Sequence, residues 1–146
     1  MSIWIKLLMW ANVAIYRLTR GGLGSRMAGQ SVLLLHTVGR RSGRRLTTPV
    51  NYYARGADFV LVASNWGKPR HPDWYFNLLA HPETDVQVKR RTLRVHARQV
   101  LGEEREELWL WVKSLNPFYG RYQSQTGRTI PIVLLEAPRA TSDDPS

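Results

Sequence analysis

The residues best equipped to do chemistry lie in the stretch 33–49, LLLHTVGRRSGRRLTTP, where an apolar run breaks into an arginine-rich turn and then resumes as an extended segment. Gly39 and Gly43 allow tight backbone geometry, Arg40, Arg41, Arg44 and Arg45 supply charge, and Ser42, Thr47 and Thr48 offer hydroxyl groups. Guanidinium groups and backbone amides together suit a phosphate or carboxylate. A basic hairpin tip can equally be plain solvated surface, so this turn alone names no reaction. A second basic loop, residues 65–71 (NWGKPRH), repeats the theme beside an aromatic set of Trp66, Trp74, Tyr75, Phe118, Tyr119 and Tyr122. Loops leaving neighbouring strands converge at one end of a barrel, where arginines would clamp a phosphate and aromatic walls would hold a planar ring. The expected ligand is large, anionic and ring-bearing. Packing in the core is the competing reading for Trp74, Leu78 and Leu79.

Other chemistries are poorly supported. The chain of 146 residues has no cysteine, which removes disulfides, thiolate zinc sites and cysteine nucleophiles together. His36, His71, His81 and His96 show no metal-ligand spacing, so no metal is expected, and His36 in its apolar run reads as a satisfied core histidine. There is no nucleophile elbow, no Ser-His-Asp order and no dinucleotide fingerprint. The balance of 21 Lys and Arg against 11 Asp and Glu gives a formal charge of +10, which points to an anionic partner. The charge is split among several patches, and no nucleic-acid motif accompanies it, so no specific nucleic acid is expected.

The elements that would position these residues follow from periodicity and punctuation. Residues 1–20 read as an amphipathic helix, too short and too interrupted by Lys6 to span a bilayer. It either docks on the domain's own core or lies in a membrane interface. A Gly-rich connection completes the segment 1–30. Residues 31–37 and 49–54 read as strands flanking the basic turn, with 59–64 as a third. Pro72 and Asp73 open a short helix, 73–80, which Pro82 must end. Residues 86–89 and 93–100 make a further strand pair, 103–115 a helix, 118–125 an aromatic and partly helical segment, and 129–136 a last strand whose Pro131 argues for an edge or a bulge. Residues 137–146 are polar and expected to be disordered. The fold class is α+β, a small antiparallel barrel of about six strands spanning 31–136, with helices covering it.

The order and wording of these motifs resemble the deazaflavin-dependent nitroreductase family, split β-barrel proteins that use coenzyme F420 and include quinone reductases. The matching pieces are LLLHTVGRRSG with TTPV, then FVLVASNWG, then HPDWYFNLLAHPE with VQV, and finally NPFYGRYQSQTGRTIPIV. The resemblance implies a split barrel with the coenzyme's phosphate-bearing tail near Arg40, Arg41, Ser42 and the Ser64 loop. It puts the deazaflavin ring near Thr48, Pro49, Val62, Ala63, Trp74 and Asn77. Thr47, Val50, Asn65, Trp66, Lys68, Asp73 and Tyr75 complete the implied coenzyme site. Tyr119 or Tyr122 would orient a quinone or nitroaromatic acceptor, or give it a proton. Relatives often carry Lys where this chain has Asn65 and Trp66, so Lys68 is the cation expected to replace it.

The implied activity is hydride transfer from reduced coenzyme F420 to a small planar acceptor, with flavin mononucleotide as the alternative cofactor. A non-catalytic carrier or membrane-surface protein is the competing reading. The expected location is cytoplasmic, with peripheral contact at the inner face of the membrane through residues 1–20. The sequence leaves the oligomeric state open.

Overall fold

A computed structural model describes Arg26, Met27 and residues 30–138, with side chains from 31 onward. Its strands are β1 (Arg26–Met27), β2 (Gln30–Val38), β3 (Arg45–Asn51), β4 (Tyr53–Arg55), β5 (Asp58–Val62), β6 (Glu83–Val88), β7 (Arg91–Gln99) and β8 (Ile132–Glu136). Its helices are α1 (Asp73–Ala80), α2 (Gly102–Leu115) and α3 (Phe118–Ser124).

Strands β5 and β8 are apolar on both faces, and their alternation sorts the interior into two cores. Phe59, Leu61, Ala63, Val133 and Leu135 join Leu33, Leu35, Val86, Val95 and Leu78 inside the barrel. The intervening Val60, Val62, Ile132 and Leu134 face outward under Leu108, Trp109 and Val112 of α2 and Tyr119 of α3. A side-chain period of two forces this division, so a continuous apolar run is what a strand covered on both sides requires.

The sheet is antiparallel, in the order β1-β2-β6-β7-β8-β5-β4, with β3 also paired to β2. Strand β3 therefore ends one side of the sheet and β4 the other, yet only Tyr52 separates them in the chain. The sheet must curl until these two edges meet, which makes it a split barrel. Tyr52 fixes the junction: its amide donates to Ser31 O at 3.0 Å, and its buried ring meets Phe59 edge-on at 5.6 Å.

Several boundaries differ from the sequence expectation. The expected strand 49–54 is two strands, and β3 starts at Arg45, so Arg45 and Leu46 belong to the ladder opposite Val38 and Thr37 and not to the turn. Strand β6 starts at Glu83, where charged residues on the exposed face hide the pairing. Strand β5 stops at Val62, leaving Ala63 and Ser64 to begin the second loop. Strand β8 lies between β5 and β7, so Pro131 marks no edge. It stands just before the strand, and its carbonyl accepts from Ala63 N at 2.9 Å. His36 is half-buried and satisfied, its Nδ1 paired with Thr47 Oγ1 at 2.9 Å. The expected helix 1–20 lies outside the described residues, as does most of the expected tail. Among the described residues no helix is long and apolar enough to cross a membrane.

Candidate functional site

The arginine turn is closed by its own backbone. Gly39 N donates to Arg44 O at 2.8 Å and Gly43 N to Gly39 O at 2.9 Å, with Gly43 left-handed at φ +70°. Ser42 Oγ accepts from Arg44 N at 3.2 Å, so the serine braces the turn.

Arg40 fastens this turn to α1. Its amide and its Nη1 both donate to Asn77 Oδ1, at 3.1 and 2.9 Å, and its guanidinium carbon lies 4.9 Å from the Phe76 ring centre. Its Nη2 lies 3.5 Å from Asp73 Oδ1, which also takes Arg70 Nη2 at 3.0 Å. One carboxylate in the first turn of α1 thus joins an arginine from each basic loop. Asp73 is suited to that place, because the helix dipole favours an anion there. Ion pairs among the described residues engage Arg40, Arg45 and Arg70, whereas Arg41, Arg44 and Lys68 have none.

The second loop contains an unusual backbone. Asn65, Trp66 and Gly67 are consecutively left-handed, at φ 46°, 60° and 77°. Such a run is costly for an aromatic residue, and it persists only where the surroundings hold it. Asn65 Nδ2 donates to Arg70 O at 2.8 Å, and Gly67 N and Lys68 N close the turn on Ser64 O and Asn65 O. Arg128 supplies the rest: its guanidinium donates to Ala63 O at 3.2 Å, Ser64 O at 2.7 Å, Lys68 O at 3.0 Å and His71 Nδ1 at 2.7 Å. Arginine has no acceptor, so His71 Nδ1 receives the bond and the ring is the neutral Nε2–H tautomer. Burial first, and the Arg128 charge second, hold the His71 pKa below its ordinary value. Burial also lowers that of Arg128.

Helix α3 closes the other side of this loop. A side chain at Gly67 would press on Gln125 Oε1 and come within 3.1 Å of Tyr122 Cα, so the loop lies flush on the helix. Tyr122 is half-buried, with Phe118 stacked 6.4 Å away. Tyr119 is buried in the outer core, and its hydroxyl is 2.9 Å from that of Tyr53. Burial, then the neighbouring Tyr53, push its pKa well above the ordinary phenol range, so it stays protonated.

The structure therefore brings Arg40, Asp73 and Asn77 together, and gathers Ala63, Ser64 and Lys68 about Arg128, with Asn65 and Trp66 on the same loop and Tyr122 against it. Thr47 is engaged by His36, Thr48 is half-buried and Pro49 buried on β3, and Val50 and Trp74 pack against the inner core. Val62 faces the outer core, while Tyr75 is buried in the inner one with its hydroxyl donating to Gln99 Oε1 at 3.0 Å. Trp66 is 56% exposed. Sequence reasoning missed Arg128, His71 and Phe76. The signal for Arg128 was a lone cation directly ahead of the apolar run TIPIVLL, where it has to find carbonyl partners.

A hollow of about 210 Å³ between Leu78, Pro82, Ala97 and Val133 contains none of the expected site residues. Its arginine, Arg98, is engaged by Glu104 and Glu136, and its histidine, His96, by Glu83.

Residues 8–137 match the family model described as F420H(2)-dependent quinone reductase. An F420H(2)-dependent quinone reductase of Mycobacterium tuberculosis (strain H37Rv) is 40% identical over 126 residues, covering 84% of this chain and 85% of that one. Among solved structures, an F420-H2 dependent reductase superposes with a TM-score of 0.66 at 37% identity, over 72% of this chain and 93% of that one. A domain-swapped dimer superposes with a TM-score of 0.69 at 33% identity, over 87% of this chain and 97% of that one. With most of its length matched in sequence and in fold, the chain belongs to the F420H(2)-dependent quinone reductase family.

Proposed function

We propose that the chain is an oxidoreductase that holds reduced coenzyme F420 across its two basic loops and delivers hydride to a quinone. The observation that carries this reading is the fastening of both loops to α1 through Asp73, with Arg41, Arg44 and Lys68 beside it in no ion pair among the described residues. Family membership supports coenzyme F420 as the cofactor, and the flavin mononucleotide alternative is not needed.

The residues present fit such a coenzyme. Arg41, Ser42, Arg44 and Lys68 would hold its anionic tail, and they are exposed or half-buried beside turns whose backbone is already closed. Thr48, Pro49, Val50, Ala63 and Trp74 would bound the ring. When bound, the reduced coenzyme supplies a hydride. Reducing a quinone to a quinol also requires a proton at oxygen, and a tyrosine hydroxyl is a protonated donor near neutral pH. We assign that role to Tyr122, which abuts the second loop and is half-buried. Tyr119, buried and kept protonated, backs the same helix against Tyr53.

Steady-state assays with reduced coenzyme and either a naphthoquinone or a nitroaromatic test this reading. Saturable oxidation of the coenzyme by the quinone is expected, with the nitroaromatic reduced more slowly. Failure of both acceptors to oxidise the coenzyme would rule the reading out.

We also propose peripheral contact with an anionic membrane surface, which suits a lipid-soluble quinone. Exposed Trp66, Leu115 and Phe118 and the formal charge of +10 support it. Flotation with anionic vesicles at low salt is expected. Equal recovery with and without vesicles would remove the idea.

A further inference from the structure

We propose that Arg128 is a positioning residue that sets the shape of the second basic loop and couples it to α3 and α1. The proposal rests on the coenzyme reading of that loop, and it names a residue whose guanidinium is taken up by protein acceptors.

The first ground is the donor count. Arg128 gives its guanidinium to three main-chain carbonyls, those of Ala63, Ser64 and Lys68, and to His71 Nδ1. These acceptors bracket the left-handed run at Asn65, Trp66 and Gly67. With the carbonyls drawn inward on both sides, the run cannot relax to an ordinary extended loop without losing charge-assisted bonds.

The second ground is what fixes Arg128. Gln123 of α3 donates from Nε2 to Arg128 O at 2.7 Å and accepts from Ile130 N at 3.0 Å, so one side chain grips both sides of the segment. From α2, Arg105 donates to Ile130 O at 2.9 Å. The arginine is therefore anchored to the helix that carries Tyr119 and Tyr122.

The third ground is the far side. His71 lies 4.8 Å from the Tyr75 ring and 5.6 Å from the Phe76 ring, and Phe76 is the ring beneath Arg40. A continuous series of contacts runs from Gln123 through Arg128, His71 and Phe76 to Arg40. Arg128 thus links the helix that would meet the acceptor, through its own carbonyl, to the second loop, through its guanidinium, and by way of His71 and Phe76 to the arginine turn. A lysine could keep the charge but not the planar fork that reaches several carbonyls at once.

The test compares wild type with Arg128→Lys and Arg128→Ala. Hydrogen exchange is followed in the peptide spanning 64–70 and, as a reference, in β7, and coenzyme affinity is followed by fluorescence. Both variants are expected to exchange faster in 64–70 with β7 protection kept. Coenzyme Kd is expected to rise about tenfold or more, and added guanidinium ion to restore part of the loss in Arg128→Ala. Unchanged exchange in 64–70 would overturn the proposal while leaving the coenzyme reading intact. So would equal acceleration in β7 and 64–70 in both variants, since Arg128 would then be a general stabiliser. Faster loop exchange in a protein whose wild type binds no coenzyme would keep the clamp and remove the coenzyme reading.

Discussion

Arg40 gives both its amide and its Nη1 to a single atom, Oδ1 of Asn77, and Asn77 is buried. The arginine expected to grip a phosphate also fastens its own turn to α1, while Arg41, Arg44 and Lys68 have no ion pair among the described residues. Asn77→Ala would strand two donors, one of them charged, at a cost of about 1–3 kcal/mol. Asn77→Asp keeps an acceptor in place and is expected to retain more stability. Urea unfolding of the two variants checks the order. Equal stability of Asn77→Ala and wild type would contradict it.

Arg41 and Lys68 are expected to act on binding and not on the chemical step. Arg41→Ala and Lys68→Ala should each raise the coenzyme KM about fivefold or more with kcat nearly unchanged, because a tail contact is made equally in ground and transition states. Arg90→Ala, in the turn between β6 and β7, should do neither. Added salt should weaken coenzyme binding in wild type more than in Lys68→Ala.

Gly67 and Gly56 are both left-handed, but only Gly67 has backbone pressed against it. Gly56→Ala should cost about 1–2 kcal/mol from backbone strain alone. Gly67→Ala adds a collision with α3 and should cost roughly 2–4 kcal/mol. It should also raise the acceptor KM, since Tyr122 must shift. Similar melting temperatures for the two variants would show that the loop does not lie on α3 as described.

His71 is expected to make stability fall on the acid side. Its folded pKa is depressed by burial and by Arg128, the charged group against it, while the Tyr75 and Phe76 rings that also face it are uncharged near neutral pH. The unfolded chain therefore takes up the proton first. The contribution of His71 is fully present above about pH 6.5 and is lost as pH drops from there toward the folded pKa. Unfolding free energies across pH 5–8 should decline below 6.5 in wild type and decline less in His71→Gln. Parallel profiles would assign the acid loss to other groups.

Much of the fold was legible because local chemistry and tertiary structure agree. Pro72, Asp73 and Pro82 bound a helix that starts and stops where they indicate, and apolar runs at 59–64 and 129–136 mark strands covered on both faces. Strand β3 was cut short in the reading because Arg45 and Leu46 are exposed ladder residues, which look like turn from composition alone. The insertion of β6 beside β2, and of β8 between β5 and β7, depends on pairings far apart in sequence that no local pattern encodes. The same holds within the site. Arg41 and Lys68 announce themselves by charge, but Arg128 acts on carbonyls more than 55 positions away, and carbonyls have no sequence signature.

The central claim is that the two basic loops, joined through Asp73, hold the anionic coenzyme. Titrating oxidised coenzyme F420 with the purified full chain at low salt, and following the coenzyme's fluorescence, tests it most directly. A saturable change in wild type, displaced to higher protein concentration in Arg41→Ala and Lys68→Ala, is the expected result. A signal that stays flat at saturating protein, or one that both variants reproduce without displacement, would contradict it.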